Sequence, residues 1–152
     1  MFTKILYPTD FSKNAEKAFE YVKKLQCAGN AEVVITHIIE KRKILEYRQL
    51  REQMEASTEG MIEAEDAVKL LLEQIYPKLQ KIEDELHTME IKASILVEEG
   101  VASQQICVAA KQVKADLIVL GYTGESLLKG YFMGSTVRHV VELSPVSVLV
   151  VK

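Results

Sequence analysis

The chain has 152 residues, 48% of them apolar and 27% charged, a length that suits one domain with a sizeable core. Its 19 basic and 22 acidic residues leave a formal net charge of −3, which gives no electrostatic footprint for nucleic acid. No window holds the ~18 consecutive apolar residues of a transmembrane helix, and the opening residues follow a strand pattern rather than a signal-peptide pattern. The expected compartment is cytoplasmic, with neither membrane nor nucleic acid as a partner. Cys27 and Cys107 have no metal-ligand spacing and read as reduced, packed thiols in helices.

Ile5-Leu6-Tyr7 is a short apolar strand that Pro8 stops. Thr9 and Asp10 form the turn, and Ser12 is a candidate helix cap. Ala15, Ala18, Phe19, Val22 and Leu25 then recur at helical spacing, with Lys and Glu between them. Ala28-Gly29-Asn30 ends that helix, and the β-branched run Val33 to Ile39 predicts the second strand. Lys41 to Met61 is less legible. It opens Lys41-Arg42-Lys43 and continues with Tyr47, Arg48, Leu50 and Arg51. Composition favours a solvated, partly helical insertion over 41–62. The other reading is a mobile lid whose basic residues reach a phosphate.

Ala64, Ala67, Val68, Leu71, Leu72, Ile75, Leu79, Ile82 and Leu86 predict a long amphipathic helix. Pro77 should bend it or break its hydrogen-bond ladder. Ile91, Ala93, Ile95 and Val97 mark the third strand, and Gly100 turns the chain. Ile106, Ala109, Ala110 and Val113 mark the next helix. Leu117–Leu120 is apolar throughout, as a strand buried on both faces would be. Val137, Val140 and Val141 give the last helix and Val146–Val151 the final strand. Five strands alternating with four helices predict one α/β domain, an open parallel sheet with helices on both faces. Periodicity does not fix the strand order.

The most informative stretch is Gly121-Tyr122-Thr123-Gly124, followed after nine residues by Gly134-Ser135. It forms a strand, a glycine-bearing loop and a helix. A glycine at a strand end lets a ligand approach the backbone, and a helix N-terminus offers unpaired N–H groups to an anion. Ser135 and Thr136 add hydroxyls there, so phosphate is the ligand that fits best. The plain alternative is a turn. The segment is neither the Walker phosphate loop nor the Rossmann glycine fingerprint.

The whole pattern, Gly121-x2-Gly124-x9-Gly134-Ser135 closing on Pro145 to Val151, resembles the universal stress protein family in its ATP-binding branch. Lys4 to Ser12 matches that family's first strand and turn, and Gly100-Val101-Ala102, Ile106 and the strand with Asp116 match as well. The resemblance runs from about Lys4 to Lys152. It implies a doubly wound, Rossmann-like sheet, akin to the adenine nucleotide alpha hydrolase-like folds, in the order 3-2-1-4-5. In that order the winding reverses between strands one and four, where such sheets bind ligands at the strands' carboxyl ends. Those ends are Pro8-Thr9-Asp10 and Leu120-Gly121, from distant parts of the chain.

The resemblance further implies an adenine nucleotide held by Pro8, Thr9, Asp10, Ile38, Leu120 and Gly121, the backbone of Ile38 meeting the base, with Gly124, Gly134, Ser135 and Thr136 cradling phosphates. Asp10 would accept hydrogen bonds from the nucleoside; its other reading is helix capping beside Ser12. The family often carries Ser and a basic residue where this chain has Tyr122 and Thr123. That departure weakens one phosphate contact, and Tyr122 would crowd or stack. Magnesium or manganese would be held mainly by phosphate oxygens, since Glu125 is the nearest acidic side chain to the loop.

No catalytic constellation and no dedicated metal set emerges. His37, His87 and His139 are scattered, without zinc spacing. His37 reads as packed or site-adjacent, His139 as a surface residue. Ser126 and Ser135 lack an evident base partner. The expected function is nucleotide binding in a stress-response regulator without efficient turnover. A nucleotide-free dimeric scaffold and a slow ATPase are the alternatives. The final strand, Val146–Val151, lies at a sheet edge in the implied order and carries no internal charge or proline, so a homodimer through it is expected.

Overall fold

The computed structural model describes residues 1–26, 30–54, 64–123 and 133–152. Strands form at β1 (Lys4–Pro8), β2 (Glu32–Ile39), β3 (Ala93–Glu99), β4 (Leu117–Gly121) and β5 (Ser147–Val151). All their pairings are parallel, in the order β3-β2-β1-β4-β5. Helices form at α1 (Lys13–Leu25), α2 (Lys41–Met54), α3 (Ala64–Thr88), α4 (Ala102–Gln112) and α5 (Ser135–Leu143). The implied strand order therefore holds, and the sheet reverses its winding between β1 and β4.

Strand alternation sorts the side chains into two cores. Ile5, Tyr7, Val33, Ile35 and Val119 pack with Phe19 and Val22 of α1 and Leu79 and Leu86 of α3. Leu6, Val34, Ile118 and Leu120 pack with Ile106 and Ala110 of α4 and Val137 and Val140 of α5. Because both faces are covered, the central strands are apolar throughout rather than alternating.

The described residues hold five helices, one more than the sequence pattern suggests. The extra one is α2, within the segment read as an insertion. It is not fully solvated. Ile44 is buried and Tyr47 half-buried, against Ile39, Ala67 and Val97 on the β2–β3 side of the sheet. Its spacing is hard to see because few apolar residues interrupt the charges. The expectation for residues 55–61 lies outside the described residues, as does that for Cys27 and for Ala28-Gly29. Cys107 is buried as a free thiol in α4.

Pro77 does not end its helix, which runs on to Thr88. Pro77 is exposed. The carbonyl that loses its N–H partner there belongs to Glu73, also exposed, so water can replace the missing bond. Leu79 and Leu86, both fully buried, hold the following turns to the sheet.

Candidate functional site

The turn after β1 is built from its own side chains. Phe11 sits at φ +62, a left-handed conformation unusual for a bulky residue. The Thr9 hydroxyl accepts from Phe11 N at 3.1 Å, and Asp10 Oδ1 accepts from Ser12 N at 3.0 Å. Ser12 caps α1 by accepting from Ala15 N at 3.2 Å. Asp10 is thus the organiser of the turn and Ser12 the cap. Beneath them the Tyr7 hydroxyl donates to the Ala15 carbonyl at 2.8 Å, and burial pushes that phenol up to about 12. Thr9 N donates to the Thr36 carbonyl at 2.9 Å, tying the turn to β2.

Across the winding reversal, Gly121 ends β4. A Cβ on Gly121 would lie 2.5 Å from both the carbonyl carbon and oxygen of Asn14, and 3.0 Å from Ala15 N. The close approach of the α1 backbone by itself demands glycine here. Asn14 also donates from Nδ2 to the hydroxyl of the buried Thr123. Together these contacts lock α1 to the end of β4. Gly134 is buried and takes the N-cap position of α5, and its N–H donates to the Tyr122 carbonyl at 3.1 Å. Tyr122 turns away toward the chain's end, where Lys152 Nζ lies 4.9 Å from its ring centroid.

Between these two constructions lies a cleft of about 170 Å³ at the carboxyl ends of the strands. Pro8, Thr9 and Asp10 line it from β1, Ile38 from β2, and Leu120 and Gly121 from β4. Gly134, Ser135 and Thr136 line it from the start of α5. These are the residues expected from the sequence, except Gly124, which lies outside the described residues along with Glu125 and Ser126.

Thr36, Thr123, Ala102, Ile106 and Val137 also line the cleft, although the sequence did not place them among the site residues. Thr36 left a signal. It stands with His37 as a polar pair inside an otherwise apolar strand. Arg42 and Lys43 of α2 and Glu40 also reach the cleft wall. The lid alternative drew on these cations. Arg42 pairs with Glu46 at 2.5 Å, one turn along the helix.

His37 is both packed and site-adjacent. It is buried, lines the cleft, and stacks on Phe11 with ring centroids 4.9 Å apart. Its Nδ1 lies 2.8 Å from the Thr9 carbonyl, which only accepts, so Nδ1 carries the proton. Burial lowers its pKa from 6.5; Lys43 and Lys78 add to that, against the opposing Thr9 carbonyl and Asp10. His87 and His139 are exposed. Among the described residues, no three His, Cys, Asp or Glu side chains gather as metal ligands would.

The Thr36 hydroxyl is fully buried and has no hydrogen-bond partner among the described residues. Leaving such a group unpaired costs about 1–3 kcal/mol. The cleft lining is rich in oxygen atoms and carries Asp10, Glu40, Arg42 and Lys43 as its charged groups, with a helix N-terminus at one end and apolar side chains at the other. That chemistry fits a phosphorylated nucleoside better than a metal ion or an apolar molecule.

Fold and cleft together define an open, doubly wound α/β protein with a polar-lined cleft at its switch point. The chain belongs to the universal stress protein family, whose model matches residues 1–152. It is similar to the universal stress protein MJ0577 of Methanocaldococcus jannaschii, 32% identical over 155 residues covering 100% of this chain and 96% of the relative. The solved structure of MJ0577 matches with a TM-score of 0.80 at 30% identity, over 100% of this chain and 96% of that one. The universal stress protein Sll1654 of Synechocystis is 30% identical over 151 residues, 99% of this chain and 86% of the relative. A universal stress protein solved in complex with cAMP matches with a TM-score of 0.66 at 20% identity, over 99% of this chain and 97% of that one. At that identity the likeness is one of fold. Among the described residues, no helix is long and apolar enough to cross a membrane.

Proposed function

We propose that this protein binds an adenine nucleotide, ATP in the first instance, in the cleft between β1 and β4, and acts as a regulatory module in a stress response. The observation that carries the reading is the convergence of Pro8-Thr9-Asp10, Leu120-Gly121 and Gly134-Ser135-Thr136 on one cleft. A universal stress protein of the same fold binds cAMP, itself an adenine nucleotide.

In this reading the Asp10 carboxylate accepts from the ribose hydroxyls. Pro8 and Leu120 offer apolar contact to the nucleoside, and the backbone of Ile38 meets the base. The N–H groups at the start of α5, with Ser135 and Thr136, meet phosphate oxygens, and Gly124 would complete that cradle. Arg42 and Lys43 place positive charge on the same wall. Magnesium or manganese would come with the triphosphate and be held mainly by its oxygens, where it neutralises charge. Turnover needs a positioned water and further charge stabilisation, so any ATPase activity is slow. Isothermal titration with ATP, AMP and cyclic AMP tests the reading, and silence toward all three at millimolar concentration refutes it. Gly134→Val should abolish binding while the chain still folds.

A homodimer through β5 is part of the same proposal. Val148, Leu149 and Val150 are only half-buried on an edge strand with no charge inside it. The described part of the 41–62 segment packs against α3, on the other side of the sheet. Sedimentation at micromolar concentration should give a dimer, and Val148→Pro a monomer. A monomeric wild type, or a dimer that survives Val148→Pro, sinks it. The scaffold alternative is favoured only if the dimer stands while nucleotide binding fails.

A further inference from the structure

The two ends of the cleft differ in chemistry. Ser135 and Thr136 open α5 at one end, where anionic groups are favoured. Pro8, Ile38, Ala102 and Ile106 line the other, which suits a flat apolar ring. Thr36 lines that second end. Its side chain shares a sheet face with Val34 and Ile38, because residues two apart in a strand point the same way. It is 0% exposed, yet its hydroxyl has no partner among the described residues. Valine or isoleucine, as at the positions around it, would satisfy the strand and the core equally well.

We propose that the Thr36 hydroxyl hydrogen-bonds the exocyclic group at position 6 of a bound purine, making Thr36 a specificity-determining residue of this site. The inference rests on the nucleotide reading above. Position 6 lies far from the sugar on the purine ring, so with the ribose at Asp10 and Gly121 that group reaches deepest. A hydroxyl both donates and accepts. It takes a hydrogen from the 6-amino group of adenine and, rotated, gives one to the 6-oxo group of hypoxanthine. Thr36 therefore selects 6-substituted purines as a class and separates them from rings with no group there.

The test is calorimetric titration of wild type and Thr36→Val with ATP, ITP and purine riboside triphosphate, which lacks the 6-substituent. Wild type should prefer ATP and ITP over the unsubstituted ring by about three- to tenfold, the worth of one neutral hydrogen bond. In Thr36→Val that preference should shrink to within about twofold, as expected when that one bond is removed. The variant should melt no lower than wild type, since the lost hydroxyl has no partner among the described residues. An unchanged preference overturns the assignment and leaves the nucleotide reading standing. Wild type that binds none of the three overturns both. A lower melting temperature in the variant shows that the hydroxyl is already bonded within the protein, and also overturns the assignment.

Discussion

The amino ends of the strands and their carboxyl ends satisfy polar groups in opposite ways. At the amino ends, the Asp116 carboxylate accepts from Thr3 N and Thr3 Oγ1, each at 2.8 Å, and from Lys4 N at 3.1 Å. Asp116 N returns a bond to the Lys4 carbonyl at 2.9 Å. Glu32 lies 3.3 Å from both Lys4 and Lys92. The partners there are all within the chain. At the carboxyl ends, the Thr36 hydroxyl is buried without a partner among the described residues, and His37 is buried close to two lysines. One end closes the sheet; the other keeps polar groups where a ligand could use them. At the carboxyl, or upper, end the Thr36 hydroxyl is therefore the group that serves something other than stability.

The hardest way to break the contrast is at Gly121, where the upper end is itself closed. Gly121→Ala puts a methyl 2.5 Å from two backbone atoms of Asn14, and backbone cannot rotate away as a side chain can. Urea unfolding should show a loss of at least ~2 kcal/mol. A loss of binding here would follow loss of structure, unlike that expected for Gly134→Val. A fully stable Gly121→Ala would mean that α1 and β4 do not meet as closely as described.

Asp116 tests the lower end. Hydrogen bonds to a charged group contribute about 1.5–3 kcal/mol, so Asp116→Asn should cost roughly 2 kcal/mol near neutral pH. Burial acts to raise this carboxyl's pKa, but the bonds from Thr3 and Lys4 together outweigh it and hold the pKa below 3.8. The folded protein therefore binds the proton less readily than the unfolded chain. The stabilisation is complete above about 3.8 and disappears as the pH falls through the folded value. The gap between wild type and Asp116→Asn should accordingly narrow in acid, and a gap that stays constant down to pH 2 would contradict the clamp. Nucleotide binding at neutral pH should be unchanged in this variant.

Much of this architecture was legible in the sequence, and the exceptions have physical causes. Apolar strands buried on both faces, such as Leu117–Leu120, show as uninterrupted runs. Their order does not, because side-chain pattern says which faces are buried and not which strands are neighbours; the family resemblance supplied it. Gly121 stood out as a glycine, but the reason for it lay in α1, which no local pattern relates to β4. Helix α2 was obscured by its charges, since Ile44 and Tyr47 alone anchor its described face. Thr36 could have been found: a hydroxyl inside a β-branched core strand has no structural purpose that valine does not serve.

The smallest expected effect concerns His37. Its ring faces the Thr9 carbonyl, the Phe11 ring, Lys43 and Asp10, and Lys78 Nζ lies 5.3 Å from the centroid of that Phe11 ring. Burial and the two lysines outweigh the carbonyl and Asp10, so the folded pKa lies below 6.5. The unfolded chain therefore takes up this proton first as the pH falls. The stability tied to neutral His37 is complete above about 6.5 and declines below it, by at most about 1.4 kcal/mol per pH unit for a single group. His37→Gln removes the titration. The stability of wild type relative to this variant should then decrease between pH 7.5 and pH 5, while Asp116→Asn still shows its full cost across that window. A wild type that gains on His37→Gln over the same range would mean that Asp10 and the Thr9 carbonyl govern the ring instead. The upper end would then hold a charged histidine, paired within the chain in the manner of the lower end.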